Sequence, residues 1–436
     1  MSIITEISKK VRSVFHEIAE ECAEATGLVQ RKGKVTGSNL SQTLVFGWLS
    51  NPDATLEALS QMGRALSLEI SAQGLDQRFT EVCSQFFHQL LLKVIAYRVG
   101  WCSSTEAKRS FSNVYLRDSS IVSLPKELSC EWRGNNGKGT ASTVKLETQM
   151  EILSGALDGP HLLDGRVNDN KAARNHEDLK KGELLLCDLG YWKLDRFKDI
   201  ADQEAWFVSH FKISTCFWVD NEKWGIYEWC QKLGKGSADI DIQLGAKAKV
   251  PCRLIVQRVP NDVAAERKRK RRRAIKKRGD TPTKASMALC HWTIVVTNIP
   301  VEKASLEEIL SLLKLRWQIE LLFRSWKSQG KIDVSRSQNK WRRLCELYAK
   351  LIAMVIKQWI FVATIWRFPD RSFDKATSTI VQHTIRLAIA IVSSYKKTVQ
   401  LLLDLKRILN TGCRINKSKK SKRHFEIVEE ICLTTA

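Results

Sequence analysis

The stretch GELLLCDLGYW, residues 182–192, decides the fold class of this chain. Its apolar run, residues 184–187, is too short for an ordinary helix and is typical of a buried strand. The run ends in Asp188. An aspartate at that position often does no more than begin a turn. In α/β sheets, however, reactive groups collect at the carboxyl ends of strands, so Asp188 is also a candidate functional carboxylate.

Other segments of the middle region are strand-like as well. SNVYLRDSSIVSLP, residues 112–125, contains an apolar stretch that ends in a second acid, Asp118. TASTVKLETQMEILSG alternates over positions 143–152, and AWFVSHFK, residues 205–212, is a further short strand candidate. Because helical patterns follow these strands, the sequence predicts a mixed α/β core.

The N-terminal region, residues 1–105, is predicted to be helical. Asp53 or Thr55 is a candidate N-cap, a break is expected at Gly63, and a second helical stretch starts near Ser71. Two helices joined by a short turn are either a helix-turn-helix or an ordinary packing unit, and the second is the commoner case.

The second half of the chain is predicted to contain three further regions. Residues 206–300 form a β-rich insertion. Within it, short strand-like pieces flank the basic run RKRKRRRAIKKR at 267–278. Helical periodicity returns in residues 301–345, and residues 346–436 are helical and basic. The core is therefore predicted to lie in residues 106–205 and 301–345, on either side of the insertion.

The charge of the chain favours a polyanionic partner. Seventy Lys and Arg against forty-seven Asp and Glu leave a net charge of +23, while the hydrophobic content of 44% is ordinary for a globular protein. A surplus of this size points to nucleic acid first and to an anionic membrane surface second.

The sequence favours a cytoplasmic protein that is not inserted in a membrane. The twelve cysteines contain no CxxC pair, which is typical of reduced thiols. The N-terminus has charges throughout and no apolar core of signal-peptide length. The most apolar run, residues 351–366, contains Lys357 and Gln358. It is shorter than the ~20 residues of a membrane span, so a buried helix is predicted there.

A third candidate carboxylate lies in LLKLRWQIELLFRSWKSQG, residues 312–330. On one continuous helix, Arg316, Glu320 and Lys327 fall within roughly 40° of one another, beside a separate apolar stripe. Arg316 and Glu320 could be a solvated pair that contributes only tenths of a kcal/mol. Alternatively, two strand-end aspartates and a helical glutamate suit hard Mg²⁺ or Mn²⁺ ions.

These residues resemble a known family. RWQIELLFRSWK, residues 316–327, is similar to the Y-x2-R-x3-E-x6-K signature of the DDE transposases of the IS-four insertion-sequence family. RDSSIVSLP (117–125) resembles the first aspartate block of that family, and LLLCDLGYWKLDRF (184–197) resembles the second. LSQTLVFGWLSNPDATLEAL (40–59) is similar to its N-terminal helical region. The blocks have the family order, with a β-rich insertion before the glutamate.

The resemblance implies a ribonuclease-H-like core in which Asp118, Asp188 and Glu320 bind two Mg²⁺ (or Mn²⁺) ions. Two such ions support an in-line displacement at phosphorus. Arg316 and Lys327 would neutralise phosphate charge beside the reacting centre. The implied activity is cut-and-paste transposition of double-stranded DNA, with cleavage at terminal inverted repeats and strand transfer into target DNA.

Further roles follow from the same resemblance. The region 1–105 would bind DNA, and the region 346–436 would support a homodimer in the synaptic complex. The protein would be cytoplasmic, and associated with the nucleoid when it is bound to DNA.

Individual residues of the insertion and the core have two interpretations each. Trp292 either stacks on a base flipped out during hairpin formation, as in relatives, or is a strand-core tryptophan. Lys145 either contacts DNA or is exposed to solvent. Arg271, Arg272 and Arg273, within the basic run, either neutralise DNA phosphates or form a solvated charge run.

One position departs from the family signature. Leu313 stands where the signature has a tyrosine, and leucine cannot donate a hydrogen bond. Three hypotheses therefore remain: a transposase, a ribonuclease-H-like nuclease or resolvase that nicks without joining, and a DNA-binding protein whose catalysis has lapsed. The intact acids argue against the third.

Overall fold

The computed structural model describes residues 2–31, 33–101, 110–135, 141–169, 179–368, 370–415, 424–428 and 431. The strands, in chain order, are β1 (Val114–Leu124), β2 (Ser142–Glu151), β3 (Leu157–Asp164), β4 (Leu184–Cys187), β5 (Trp206–His210), β6 (Phe217–Val219), β7 (Glu222–Trp224), β8 (Ala238–Leu244), β9 (Val250–Arg258) and β10 (Trp292–Thr297). The strands predicted near 143–152, 184–187 and 205–212 are therefore confirmed as β2, β4 and β5.

The helices, in chain order, are α1 (Ile3–Ser13), α2 (Ala19–Ala25), α3 (Gly37–Ser50), α4 (Leu56–Ala65), α5 (Ala72–Asp76), α6 (Glu81–Ala96), α7 (Leu194–Asp202), α8 (Ile226–Leu233), α9 (Asn261–Lys277), α10 (Lys284–Ala288), α11 (Leu306–Leu315), α12 (Trp317–Ser328), α13 (Lys340–Thr364), α14 (Phe373–Ser393), α15 (Tyr395–Thr411) and α16 (His424–Ile427). A single turn of π-helix, Val14–Ile18, separates α1 from α2.

The chain divides into two compact units. The helical unit comprises Met1–Glu106, Asp118–Val167 and Gln318–Glu426, and the sheet unit comprises Ala107–Arg117, Asn168–Trp317 and Ile427–Ala436. Strand β1 passes from the sheet unit into the helical unit after Arg117, and α12 does so after Trp317.

Helix α13 is the centre of the helical unit. It packs against α6 and α3, and its residues from Leu344 onward are buried. By length and composition α13 could cross a membrane, but its apolar window is entirely buried inside the protein, as in the core helix of a soluble protein. The buried helix predicted for the apolar run is therefore confirmed, although it begins earlier, at Lys340.

The predicted break at Gly63 is wrong. Thr55 is the N-cap of α4, with its side chain accepting from the Ala58 amide, and the helix continues through Gly63 to Ala65. A Cβ on Gly63 would lie 3.2 Å from the backbone oxygen of Leu68 and 3.4 Å from Thr43 Cγ2, on α3. The glycine therefore permits the close return of the chain at Leu68, whose amide bonds to the Gly63 carbonyl at 2.8 Å, rather than ending the helix.

The sheet unit has the mixed sheet that the sequence predicts. Its strand order is β1-β4-β5-β10-β9-β8-β6-β7. Strands β1, β4 and β5 are parallel, whereas β10 is antiparallel to both β5 and β9. One face is covered by an apolar cluster in which Phe197 of α7 stacks on Phe207 of β5 with ring centroids 4.2 Å apart. This is the mixed α/β fold of a ribonuclease-H-like core, extended by antiparallel strands.

The basic run 267–278 lies mainly on a helix, α9, which the sequence did not predict. Among the residues of α9, Ala264 is the one that the structure buries. Arg267 anchors the helix, because its guanidinium donates to the carbonyl oxygen of Trp292 at 2.9 Å and to Thr293 Oγ1 at 3.1 Å. Lys and Arg favour helix intrinsically, but consecutive bases leave no apolar period by which the helix could be recognised.

The stretch 312–330 was predicted as one continuous helix, and this is wrong. Helix α11 starts with a capping box between Ser305 and Glu308 and ends at Leu315, and α12 starts at Trp317. Arg316 lies at the break, with its amide bonded to the Leu313 carbonyl at 3.3 Å. The helical-face calculation holds for Glu320 and Lys327, both on α12, and Arg316, between the two helices, keeps α-helical backbone angles of φ −53° and ψ −30°.

Candidate active site

Asp118 lies inside strand β1 rather than at the end of a strand. The predicted strand end is therefore wrong, since β1 continues to Leu124. The sequence suggested a turn because two serines follow the aspartate, but short polar side chains are compatible with a strand. Asp118 Oδ1 accepts the backbone N–H of Ser119 at 2.8 Å. Because Asp118 belongs to a strand, the turn interpretation does not apply to it.

Asp188 follows β4 directly, as the sequence predicts. Strands β1 and β4 are paired in parallel, with Leu116 opposite Leu186. Asp118 is two residues beyond Leu116, and Asp188 is two residues beyond Leu186. Each aspartate therefore follows its paired leucine by the same number of residues along the chain.

Arg316 forms an ion pair with Asp188 within the sheet unit. Its Nη1 lies 3.5 Å from Asp188 Oδ1, and the side chain of Arg316 is 17% exposed while that of Asp188 is 39% exposed. This distance is that of an ion pair and is longer than a strong charge-assisted hydrogen bond. The aspartate therefore has a compensating charge while its carboxylate stays accessible.

Glu320 and Lys327 share one face of α12, because seven residues of an α-helix span nearly two turns. Lys327 Nζ donates to the carbonyl oxygen of Ile121 at 3.0 Å. Ile121 belongs to β1 and lies three residues beyond Asp118. Within the helical unit, this bond holds the helix that carries Glu320 to the strand that carries Asp118.

His210 is a further residue near Asp188 that no sequence motif indicates. This residue ends β5, and the register that pairs Cys187 with Ser209 places His210 in step with Asp188. Burial lowers the pKa of His210, the Arg316 guanidinium lowers it further, and the Asp188 carboxylate opposes both effects. The imidazole is therefore neutral near pH 7. Its position follows from the β4–β5 register, which a single sequence does not reveal.

Leu313 lies on α11 and is 8% exposed. Its side chain is buried in the sheet unit and presents no polar group. A tyrosine hydroxyl expected from the family signature is thus replaced by a buried apolar side chain.

Trp292 lies in the interior of the sheet unit. It begins β10, is 8% exposed and belongs to the apolar cluster. The guanidinium of Arg258 lies 5.8 Å from its ring centroid. Stacking on a flipped base needs an open ring face, so this role requires the side chain to become more accessible, and it stays a prediction.

Lys145 and the basic residues of α9 have opposite environments. Lys145, on β2, is 6% exposed, and its Nζ donates to the carbonyl oxygen of Val167. It is therefore not the solvent-exposed residue that one interpretation expected, and a DNA contact by Lys145 stays a prediction. Arg271, Arg272 and Arg273 are exposed.

The donor chemistry of the three carboxylates is that of a hard-cation site, since Mg²⁺ and Mn²⁺ take carboxylate oxygens. Within the described part of the chain, no group of three or more His, Cys, Asp or Glu side chains is close enough to hold a metal ion. The three carboxylates thus fit divalent metal ions by ligand type, but the described residues do not form a preformed metal-binding cluster.

Comparisons with known proteins agree on one family. The model of the family described as "Transposase DDE domain" matches residues 109–356. The chain is 26% identical to the transposase for insertion sequence element IS1151 of Clostridium perfringens, over 98% of this chain and 96% of that protein. It is also 26% identical to the transposase for insertion sequence element IS231B of Bacillus thuringiensis subsp. berliner, over 96% and 93%. A putative transposase InsL, of element IS186A from Escherichia coli (strain K12), is 22% identical over 66% of this chain and 75% of its own length.

Proposed function

Since this chain belongs to the DDE transposases of the IS-four family, it is a DNA-cleaving enzyme of DNA transposition, and we propose that Asp118, Asp188 and Glu320 are its catalytic carboxylates. The enzymes of this family depend on divalent metal ions and act on DNA. The observation that carries the assignment is the β1–β4 register, in which each aspartate stands two residues beyond the Leu116–Leu186 pair.

The bond between Lys327 and the Ile121 carbonyl supports the assignment of Glu320. It ties α12 to β1 at a distance of 3.0 Å, three residues past Asp118. Because Glu320 and Lys327 face the same side of α12, the helix presents its glutamate on the side that contacts the aspartate strand.

The three carboxylates would hold two Mg²⁺ or Mn²⁺ ions. When bound, such ions supply Lewis-acid activation of a water or a DNA 3′-hydroxyl and stabilise the leaving oxygen. The carboxylates themselves accept the ions and set their position relative to the scissile phosphate. Asp188 is ready for this role because Arg316 balances its charge without a short hydrogen bond to it.

Arg316 and Lys327 would contribute positive charge to the bound phosphate. A guanidinium offers two parallel N–H donors to phosphate oxygens, which an ammonium cannot do. Arg316 would stabilise the charge that develops at phosphorus, and Lys327 would both contact phosphate and hold α12 on β1. Neutral His210 places a hydrogen-bonding ring near Arg316 and Asp188 without adding a further charge.

DNA is held by more than the active site. The exposed bases of α9, including Arg271, Arg272 and Arg273, would neutralise phosphates, and the net charge of +23 attracts DNA at long range. The helical region 1–105 would bind the terminal inverted repeats. The region 346–436 would support a homodimer in the synaptic complex, and the protein would act in the cytoplasm, on the nucleoid.

One specific observation favours a second candidate. Leu313 places a buried apolar side chain where the family signature has a hydroxyl. A chain that binds DNA but no longer cleaves it would also tolerate this replacement, so the lapsed DNA-binding protein remains an alternative to the active transposase.

A strand-transfer assay tests the proposed function. The full chain is incubated with a donor DNA that carries the ends of its own element, a target plasmid and Mg²⁺ or Mn²⁺. Joined products are expected from the wild type and none from Asp188→Ala, while the control Asp199→Ala, an exposed acid on α7, behaves as the wild type. Cleavage without joining would identify a nuclease. DNA binding by the wild type and by Asp188→Ala, with cleavage by neither, would identify the lapsed protein.

A further inference from the structure

The helical unit contains a cavity of about 520 Å³ that the proposed active site does not use. Helix α12 lines one side of it, and α13 with the beginning of α14 lines the other. Its apolar walls are formed mainly by large side chains: Leu321, Leu322, Met354, Phe361, Trp366 and Phe373. This volume lies within the roughly 300–1,000 Å³ typical of small-molecule sites.

A buried ammonium lines this cavity. Lys357 is 2% exposed, and its Nζ has a long contact of 3.5 Å with Ser325 Oγ. Within the described part of the chain, no carboxylate lies in salt-bridge range of Lys357, that is within 4.0 Å. Asp374, which also lines the cavity, accepts a hydrogen bond from Gln329 and acts on Lys357 only from beyond salt-bridge range, where it opposes the lowering of the pKa by burial. The Phe361 ring lies 5.9 Å from the ammonium. Buried charges in proteins are normally paired, so an ammonium without a carboxylate in direct contact, in a cavity, points to an anionic ligand.

A second donor without a partner belongs to a side chain that lines the same cavity, Trp326. This residue is fully buried, and its indole Nε1 has no acceptor among the described residues, so a ligand would reach it after a small shift of the indole. Buried indole N–H groups usually have a partner. Lys357 and Trp326 come from different helices, α13 and α12, so their missing acceptors are two independent observations.

We propose that this cavity is a binding site for a small organic carboxylate with an apolar or aromatic body. The carboxylate would accept from the ammonium of Lys357 and from the indole N–H of Trp326, and the body would contact the aromatic walls. A fully apolar ligand would leave both donors unpaired, and inorganic phosphate would leave the apolar walls without a partner.

The cavity is separate from the metal-binding carboxylates. On α12, the cavity-lining residues Leu322, Ser325 and Gln329 point about 140–180° away from Glu320, whereas Arg324, at the rim of the cavity, is about 40° from it. The ligand would therefore lie mainly on the side of the helix away from Glu320.

Calorimetric titration of the full chain tests the proposal. The probes are octanoate and indole-3-acetate, with indole-3-acetamide as the neutral counterpart of the second and inorganic phosphate as an anion without a body. We expect at least one of the two carboxylates to bind saturably, at least tenfold more tightly than the amide or phosphate. Lys357→Met should weaken that binding at least tenfold, while Lys396→Met, at an exposed lysine of α15, should not change it.

A second measurement reports on Trp326 directly. In the ¹⁵N–¹H spectrum of the tryptophan side chains, the indole resonance that Trp326→Phe removes should shift on addition of the bound carboxylate and not on addition of the amide. Circular dichroism and thermal unfolding establish that each variant is folded. Absence of binding by both carboxylates, equal binding of acid and amide, or unchanged binding to Lys357→Met would overturn the proposal.

Discussion

The guanidinium of Arg316 stands 3.5 Å from the carboxylate of Asp188, and Arg316 is the single residue between the end of α11 at Leu315 and the start of α12 at Trp317. Its backbone angles, φ −53° and ψ −30°, are α-helical, so the residue joins the two helices without a turn. The ion pair places the guanidinium beside the second carboxylate, whereas the third carboxylate is carried by α12. This arrangement separates phosphate neutralisation from the placement of Glu320.

Arg316→Ala is expected to slow DNA cleavage by about 10²–10³, which is typical for removal of one group that stabilises transition-state charge. Arg316→Lys should restore only part of the rate, since an ammonium cannot form the two-pronged contact. Single-turnover cleavage of pre-bound DNA measures the effect. Arg324→Ala, at an exposed arginine of α12, is the matched control. An equal loss in both variants would remove Arg316 from the site.

Neutralisation of Arg271, Arg272 and Arg273 should weaken DNA binding and reduce its salt dependence. Each phosphate contact contributes about 0.9 to the slope of log K against log salt concentration, so replacement of all three by Gln should lower the slope by about 2.7. Binding titrations at several salt concentrations provide the measurement. The control replaces three exposed lysines, Lys198, Lys235 and Lys247, by Gln. A slope that changes equally in both proteins would show that α9 acts only through net charge.

Trp292→Ala should impair hairpin formation more than the initial nick, if the ring stacks on a flipped base. Stacking contributes roughly 1–3 kcal/mol per base, so the ratio of the two rates should fall by about tenfold or more. Trp292→Phe keeps part of the ring and should retain more of the ratio. Because Trp292 is 8% exposed, truncation also creates a cavity. Equal loss in both steps, together with a lower melting temperature, would assign Trp292 to the core alone.

Leu313→Tyr should increase the cleavage rate several-fold if the missing hydroxyl is what limits activity. The larger ring must fit at a position that is 8% exposed, and overpacking of this kind typically costs 1–3 kcal/mol of stability. Leu313→Phe carries the same ring without the hydroxyl and is the control. A gain in both variants would point to packing, and no gain in either would show that this chain does not need the hydroxyl.

Lys357→Met should stabilise the protein at neutral pH. Burial lowers the pKa of Lys357 from 10.5 to about 8. Between pH 8 and pH 10.5 the unfolded chain binds the proton that the folded chain has lost, so the free energy of unfolding of the wild type rises with pH. Below pH 8 the folded wild type carries the full energetic cost of the buried charge. The variant lacks that penalty and should be more stable at pH 7 by about 3 kcal/mol.

Denaturant unfolding of the wild type, Lys357→Met and Lys396→Met at several pH values measures this difference. The advantage of Lys357→Met should shrink from pH 8 upward and disappear above pH 10.5. A difference that does not depend on pH would mean that the gain comes from packing and not from the charge.

The sequence was sufficient where local chemistry decides the structure. Four apolar residues bounded by turn residues identified β4 and, with it, Asp188. The strand β3 was missed because Gly159 and Pro160 lie within it, and both residues usually argue against a strand. Strand β3 is the edge strand of the order β3-β2-β1 and is antiparallel to β2, so the proline removes no internal ladder bond.

Features set by pairing between distant segments were beyond the sequence. The places of His210 and Asp118 depend on which residues of β1, β4 and β5 lie opposite one another, and no local pattern encodes this register. The break at Arg316 was missed for a related reason, because the apolar period continues through it. The blocks that resemble the transposase family supplied the identity of the carboxylates, and the strand pairing supplied their relation.

The parallel register of Leu116 with Leu186 also bears on the inheritance of the mobile element. Side chains alternate along a strand, so loss of one codon between positions 116 and 118 would turn the aspartate to the opposite face. Such a copy would keep its reading frame and nearly its full length. If Asp118 is catalytic, as we propose, a deletion of three nucleotides at this point would abolish transposition of the element as completely as a frameshift does.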